Sequence, residues 1–319
     1  MIGLYRRLRA VGVLGLNDRN ANFIMARNPR RLYPLVDNKI LCKRRLQEQG
    51  IAVPELLGEI SSQYEAGHLK ARLAELEEFV IKPASGSGGD GIIVVTGRRR
   101  DAWISGGGRL LKLTDLQYHV AGILAGMYSL GGQRDSAMLE ALIHPDPMLK
   151  PVAPEGVPDI RIIVYRGIPV MAMMRLPTRR SGGKANLHQG AIGAGINMAT
   201  GSTLKAVMNT GVVDQHPDTA EPVESFQLPD WPGLLLTAAR CYNAVPLGYL
   251  GVDLVLDRDH GPLVLEMNAR PGLAIQIANG HGLRSRLELI DGLTDPETLT
   301  PERRVELAVE FARSGWKTQ

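Results

Sequence analysis

Gly251-Val-Asp-Leu-Val-Leu-Asp257 and Pro262-Leu-Val-Leu-Glu-Met-Asn268 are two short apolar runs separated by a polar connector, the pattern of a β-hairpin. Glu266 and Asn268 are two residues apart and therefore share one face. With Asp257 to Pro262 as the connecting loop, Leu256 pairs with Leu263 and Asp253 falls opposite Glu266. Two carboxylates facing each other across an otherwise apolar hairpin repel unless a cation lies between them. Oxygen donors alone suit Mg²⁺, which takes few protein ligands and completes its shell with phosphate and water. The same spacing also arises if the three side chains simply face solvent.

Upstream, Phe79-Val-Ile-Lys-Pro83 reads as a strand, Ala84 to Gly91 as a loop, and Ile92 to Thr96 as a second strand. The loop Ala84-Ser-Gly-Ser-Gly-Gly-Asp-Gly91 carries four glycines and two serines. Such a backbone can bring N–H groups close to phosphate oxygens, and Lys82 on the preceding strand adds charge. It is neither a Walker A loop nor a dinucleotide fingerprint, because no Gly-Lys-Ser/Thr follows and the next element is a strand. A solvated hairpin tip is the competing reading. Glu140 lies inside the apolar run Leu139-Glu-Ala-Leu-Ile143, where a charge is costly without a partner.

Further signals complete the outline. Asp37 to Gly50 has helix punctuation at both ends, and Glu65 to Glu78 places Leu69, Leu73 and Leu76 on one stripe. Thr114 to Leu130 reads as a helix and Ala137 to His144 as a strand. Pro145 to Pro158 is a connector with five prolines, and Asp159 to Arg175 forms two strands about Arg166-Gly167. Ser181 to Gly201, rich in Gly, Asn and Ala, reads as an ordered loop over a site. Leu234 to Asn243 is helical, and helical stretches follow Leu273 and Pro301. Strands and helices alternate with strong hairpins, which favours α+β with mostly antiparallel sheets over a doubly wound parallel sheet.

Composition excludes several classes. The 319 residues are 44% apolar and 22% charged, an ordinary globular balance, and 5% aromatic, too few for a dedicated single-strand binder. Lys and Arg total 37 against 33 Asp and Glu, with basic residues crowded before Arg45; nucleic-acid binding rests on that bias alone and is a distant reading. Two cysteines, Cys42 and Cys241, form no disulfide framework or CxxC motif. No signal peptide is evident at the start, and no run approaches the roughly 20 apolar residues of a membrane span. A cytoplasmic location is expected.

In this order the segments resemble the ATP-grasp superfamily, and within it the RimK-type ribosomal-protein glutamate ligases and alpha-L-glutamate ligase-like proteins. The resemblance is carried by Asp37-Asn-Lys39 with Gly50-Ile-Ala-Val-Pro54, Val80-Ile-Lys-Pro83 with its glycine loop, Glu140 to Ile143, Asp159-Ile-Arg161, Lys184-Ala-Asn-Leu-His188, and Gly251-Val-Asp253 through Glu266-Met-Asn-Ala-Arg-Pro-Gly272. Gly15-Leu-Asn-Asp-Arg-Asn20 and Asn28-Pro-Arg-Arg31 resemble the glutamate ligase-like branch in particular.

The resemblance implies two α+β subdomains gripping ATP between antiparallel sheets, behind a shortened N-terminal cap. The corresponding division is 1–36, 37–145 and 146–319. It implies that Lys39 and Lys82 hold phosphates while Ser87, Gly88 and Gly89 fold over them. Glu140, Ala141 and Ile143 would read adenine and ribose, and Asp253, Glu266 and Asn268 would hold two Mg²⁺. Arg270 would stabilise an acyl-phosphate and the tetrahedral intermediate, with Arg161 and Asn186 facing the carboxylate or the transferring phosphate. The implied activity is ATP-dependent joining of a carboxylate to an amine, glutamate-adding on the resemblance. A phosphotransferase or a non-catalytic ATP-binding regulator are the alternatives. Only 38 residues precede Lys39, so a homo-oligomer or a partner protein is expected to complete the substrate cleft.

Overall fold

The computed structural model describes residues 2–86, 88–209 and 211–317. Contacts divide it into two units, Asn38–Ile40 with Val53–His144, and Met1–Asp37 with Leu41–Ala52 and Pro145–Gln319.

The smaller unit carries a six-stranded antiparallel sheet of β1 (Leu56–Ile60), β2 (Phe79–Pro83), β3 (Ile93–Arg99), β4 (Ala102–Ser105), β5 (Leu110–Leu111) and β6 (Ala137–Glu140), ordered β1-β6-β2-β3-β4-β5. Alternation along β2 buries Phe79 and Ile81, which pack with Leu116, Val120 and Ile123 of the helix Leu113–Leu124. The stripe expected as one helix over Glu65 to Glu78 splits into Gln63–Gly67 and Leu69–Arg72. Ser62 and Glu65 cap the first piece reciprocally. Gly67 is a poor helix former at the break, yet Leu69 and Leu73 both reach the core.

The larger unit carries a seven-stranded antiparallel sheet of β7 (Asp159–Tyr165), β8 (Ile168–Leu176), β9 (Ile192–Ile196), β10 (Thr203–Met208), β11 (Gly211–Val213), β12 (Tyr249–Asp257) and β13 (Gly261–Asn268), ordered β11-β10-β9-β8-β7-β12-β13. The β7–β8 turn is Arg166-Gly167, with φ of 48° and 83°, the sign a two-residue primed turn needs at both positions. Glu297 holds the strained Arg166 with two hydrogen bonds, of 2.5 and 2.8 Å. The core joins sheet residues Tyr165, Met171 and Tyr249 to Ile275, Leu287 and Ala308 of the C-terminal helices and to Leu14 and Phe23 of the N-terminal segment. No helix among the described residues is long and apolar enough to cross a membrane.

Candidate functional site

In the smaller unit the chemistry gathers on β2 and β6. Val80 pairs with Glu140 and Lys82 with Met138, which sets Lys82 diagonally across from Glu140 on one face. The Lys82 Nζ lies 2.5 Å from Glu140 Oε2, and both side chains are buried. The Ala141 N–H donates to the Glu55 carbonyl at 2.9 Å. Of the Ala141 backbone pair, the carbonyl is therefore the group that stays clear of this bond.

Lys39 opens the helix Lys39–Glu48, and Asn38 rather than Asp37 caps it, its Oδ1 accepting from the Ile40 N–H at 3.0 Å. The Lys39 N–H donates to the Ala84 carbonyl at 2.8 Å and its Nζ to the Gly86 carbonyl at 2.5 Å. The ammonium thus lies on the glycine loop. That loop has fixed ends and an open middle. At one end Asp135 accepts from the Ser85 N–H at 2.9 Å. At the other the Gly91 carbonyl meets His119 Nε2 at 2.9 Å, and a Cβ on Gly91 would fall 2.5 Å from the Tyr128 ring. Between them Gly88 and Gly89 take positive φ, and a Cβ on Gly88 would meet nothing. Ser87 lies outside the described residues. Asp135, His119 and Tyr128 carry no sequence signal as loop anchors. Burial pulls the His119 pKa down, opposed by its bond to Gly91.

In the larger unit β12 pairs with β13 on one side and β7 on the other, so Asp253 faces both Glu266 and Arg161. The cation between the two carboxylates is a guanidinium. Arg161 binds Asp253 through two hydrogen bonds, of 2.7 and 2.5 Å, and its Nη2 lies 4.0 Å from Glu266. Arg175, from β8, grips Asp159 with two bonds of 2.5 Å and reaches Asp253 at 2.7 Å. Asn268 Nδ2 donates to Glu266 at 3.2 Å, which turns its amide oxygen away from that carboxylate. Asp253 is fully buried, whereas the Glu266 side chain is 31% exposed. Burial alone would raise the Asp253 carboxyl, but Arg161 and Arg175 outweigh it and hold it at about 2. For Asp159 burial prevails over Arg175, the charge on Asp253 adds to it, and the pKa rises. Burial lowers the Arg175 pKa, but the two carboxylates outweigh it and the net shift is upward.

Three carboxylates and two guanidiniums leave one net negative charge, so the cluster can accept a cation. The partly exposed Glu266 carboxylate and the Asn268 amide oxygen are hard donors of the kind magnesium takes. Asp253 is already engaged by both arginines, and among the described residues no three acidic, histidine or cysteine side chains are grouped to hold a metal ion.

Arg270 stands apart from that cluster. It donates to both Asp37 oxygens at 3.0 Å and lies over the Tyr33 ring at 4.8 Å. The loop that carries it is fastened by the N-terminal segment. Asn28 bonds the Tyr249 and Ala269 carbonyls at 2.8 and 3.0 Å, and Arg19 bonds the Pro271 carbonyl at 2.7 Å. Gly251 is required beneath it, since a Cβ there would sit 2.7 Å from Pro271. Asn186 is half-buried and caps the turn Leu187–Gln189, accepting from the His188 N–H at 3.0 Å.

No curated protein matches the sequence. Among solved structures, the ATP-grasp ligase PsnB complexed with minimal precursor is 15% identical, with a TM-score of 0.43 over 83% of this chain and 62% of that one. The chain therefore spans less than two thirds of that neighbour's length. The D-alanine-D-alanine ligase from Coxiella burnetii is 17% identical, with a TM-score of 0.46 over 90% of this chain and 61% of that one. The corresponding ligase from Bacillus anthracis is 13% identical, with a TM-score of 0.45 over 91% and 71%. The model of the family described as sugar-transfer associated ATP-grasp matches residues 18–292; the chain has the ATP-grasp fold and belongs to that family.

Proposed function

We propose that the protein is an ATP-dependent carboxylate–amine ligase working through an acyl-phosphate. The observation that carries this reading is the group Asp253, Glu266 and Asn268 on one face of a hairpin, braced by Arg161 and Arg175. A protein that merely bound nucleotide would have no use for so costly a buried charge cluster.

Lys82 and Lys39 neutralise ATP phosphates, and the N–H groups around Gly88 and Gly89 close over them. Glu140 and the backbone at Ala141 and Ile143 meet the adenine and ribose. Glu266 and Asn268 would hold Mg²⁺, two ions on this reading, with Asp253 fixing the guanidiniums beside them. The metal would supply charge neutralisation for phosphoryl transfer. The substrate carboxylate oxygen attacks the γ-phosphorus, the bond to ADP breaks, and an acyl-phosphate results. The amine then attacks the acyl carbon and phosphate leaves. Arg270, held by Asp37 and Tyr33, presents its remaining N–H groups to the oxygen that gains charge in that step. Arg161 and Asn186 face the transferring group or the carboxylate. No protein nucleophile is needed.

The motif resemblance supports glutamate as the added amino acid. The family's description as sugar-transfer associated supports amino sugars and sugar acids as further substrates. Phosphate release measured over a panel of amino acids, peptides, amino sugars and uronic acids, with mass spectrometry of the products, tests the reading. An amide product formed with stoichiometric ADP and phosphate is expected; phosphorylated product without an amide would establish phosphotransfer instead.

Lys82→Ala should weaken ATP binding. It also takes away the ammonium that the buried Glu140 faces, so the cleaner measurement uses Lys82→Met with Glu140→Gln, a neutral pair of similar volume. That double variant should fold, and calorimetry should show its ATP affinity lower by about tenfold or more than that of Glu140→Gln alone, the reference that already lacks the Glu140 charge; the factor is the scale of one charge-assisted contact. Unchanged affinity would remove Lys82 from the phosphate site.

A further inference from the structure

The larger unit contains a cavity of about 320 Å³ whose lining includes none of the residues assigned above. It lies along β9 from them: Gly193 pairs with Arg175, whereas Ile196, three residues on, lines the cavity. Such a spacing corresponds to roughly 10 Å along a strand.

Its lining holds no aspartate or glutamate, but it does hold Arg286. Arg286 is 9% exposed; its Nη1 donates to the Val170 carbonyl at 2.7 Å, and its guanidinium lies 4.8 Å from the centre of the Trp316 ring. No carboxylate lies within ion-pair reach of it among the described residues. Burial lowers its pKa to about 10. A buried charge without a counter-charge is among the costliest features a fold can carry. Arg286 also sits in the first turn of the helix Arg284–Asp291, where the helix dipole is itself positive. Two positive features, the guanidinium and the helix N-terminus, therefore converge with no aspartate or glutamate to answer them among the described residues, and beside them stand the polar groups of Ser285 and Asn197.

We propose that this cavity binds a small organic monocarboxylate, its carboxylate on the free edge of the Arg286 guanidinium and its apolar body against Ile196, Met198 and Leu204. With Nη1 committed to Val170, the remaining N–H groups form a fork matched to two carboxylate oxygens. One permanent cation balances one negative charge, which favours a carboxylate over a dianionic phosphate. The volume lies at the lower end of the range for small-molecule pockets. The ligand is bound away from the Asp253 cluster and is not consumed there.

The test is calorimetric titration of the full chain, without nucleotide, with hexanoate, with the neutral isostere hexanamide, and with inorganic phosphate. Hexanoate should bind, and the other two should bind at least about tenfold more weakly, the cost of one lost charge-assisted hydrogen bond. Arg286→Met, which keeps a stem to pack on Trp316, should lose hexanoate binding by the same factor. Ala312→Phe, which fills the cavity and leaves Arg286 in place, should do likewise. Equal binding of hexanamide, tighter binding of phosphate, no hexanoate binding, or wild-type affinity in either folded variant would overturn the proposal. ATP affinity measured alongside should be unchanged in both, so this result and the ligase reading fail separately.

Discussion

Glu266→Gln should leave the fold intact and reduce metal-dependent turnover by at least about a hundredfold, the scale on which a single preorganised electrostatic contact acts. The replacement keeps the shape and the bond from Asn268, and the side chain is partly exposed, so little stability is at stake. What it removes is the charge that makes the cluster net negative. With three carboxylates and two guanidiniums the cluster attracts a divalent cation; with two of each it is neutral. The measurement is turnover against Mg²⁺ concentration, with circular dichroism as the control for folding. A folded Glu266→Gln enzyme with wild-type turnover would remove the hairpin from the proposed chemistry. Asp253→Asn is a poorer probe, because it takes the shared counter-charge from two buried arginines and would disturb folding as well.

The hairpin that centres this chemistry was legible in the sequence, although by a route the backbone does not follow. A plain turn pairs Leu256 with Leu263. The structure pairs Leu256 with Pro262 and Val255 with Leu263, and a bulge between Asp253 and Leu254 then restores Asp253 opposite Glu266. The extra residue is absorbed where β13 must re-aim a side chain, a common place for a bulge. The apolar patterning also located β2 at its full extent and the turn at Arg166-Gly167, whose primed geometry only the backbone shows.

Composition misled at β9. Ser181 to Gly201 reads as a loop because of its glycines, yet Ile192–Ile196 is a buried strand. A Cβ on Gly195 would fall 2.5 Å from the Ala278 carbonyl and one on Gly193 2.8 Å from Leu187, so these glycines admit close packing and do not mark a turn. Arg175 was missed for a different reason. A single charge near the end of an apolar run looks like a strand leaving the core, and only the pairing of Asp159 with Arg175 shows that it points into a charged cluster. The partnership of Arg270 with Asp37 joins residues 233 apart in the chain and leaves no local signature.

Arg175→Met should be the most destabilising single change in the cluster, lowering unfolding free energy by about 3–5 kcal/mol, the cost of leaving a buried charge without its partner. Its three bonds to Asp159 and Asp253, of 2.5 to 2.7 Å, serve two carboxylates that are both buried. Arg161 still answers Asp253 in the variant, so the loss concentrates on Asp159. Methionine fills much of the same volume and keeps the packing of the stem, which separates the charge effect from a cavity. A double replacement, Arg175→Met with Asp159→Leu, takes away donor and acceptor together and should recover most of the lost stability, since removing both members of a buried pair is often close to neutral. Urea unfolding of the three proteins gives the comparison directly, through shifts in midpoint at constant slope. If the single variant lost under about 1 kcal/mol, Arg175 would rank with surface ion pairs, and the rigid charged platform on which Glu266 and Asn268 stand would have to be held by the β7–β12 pairing instead.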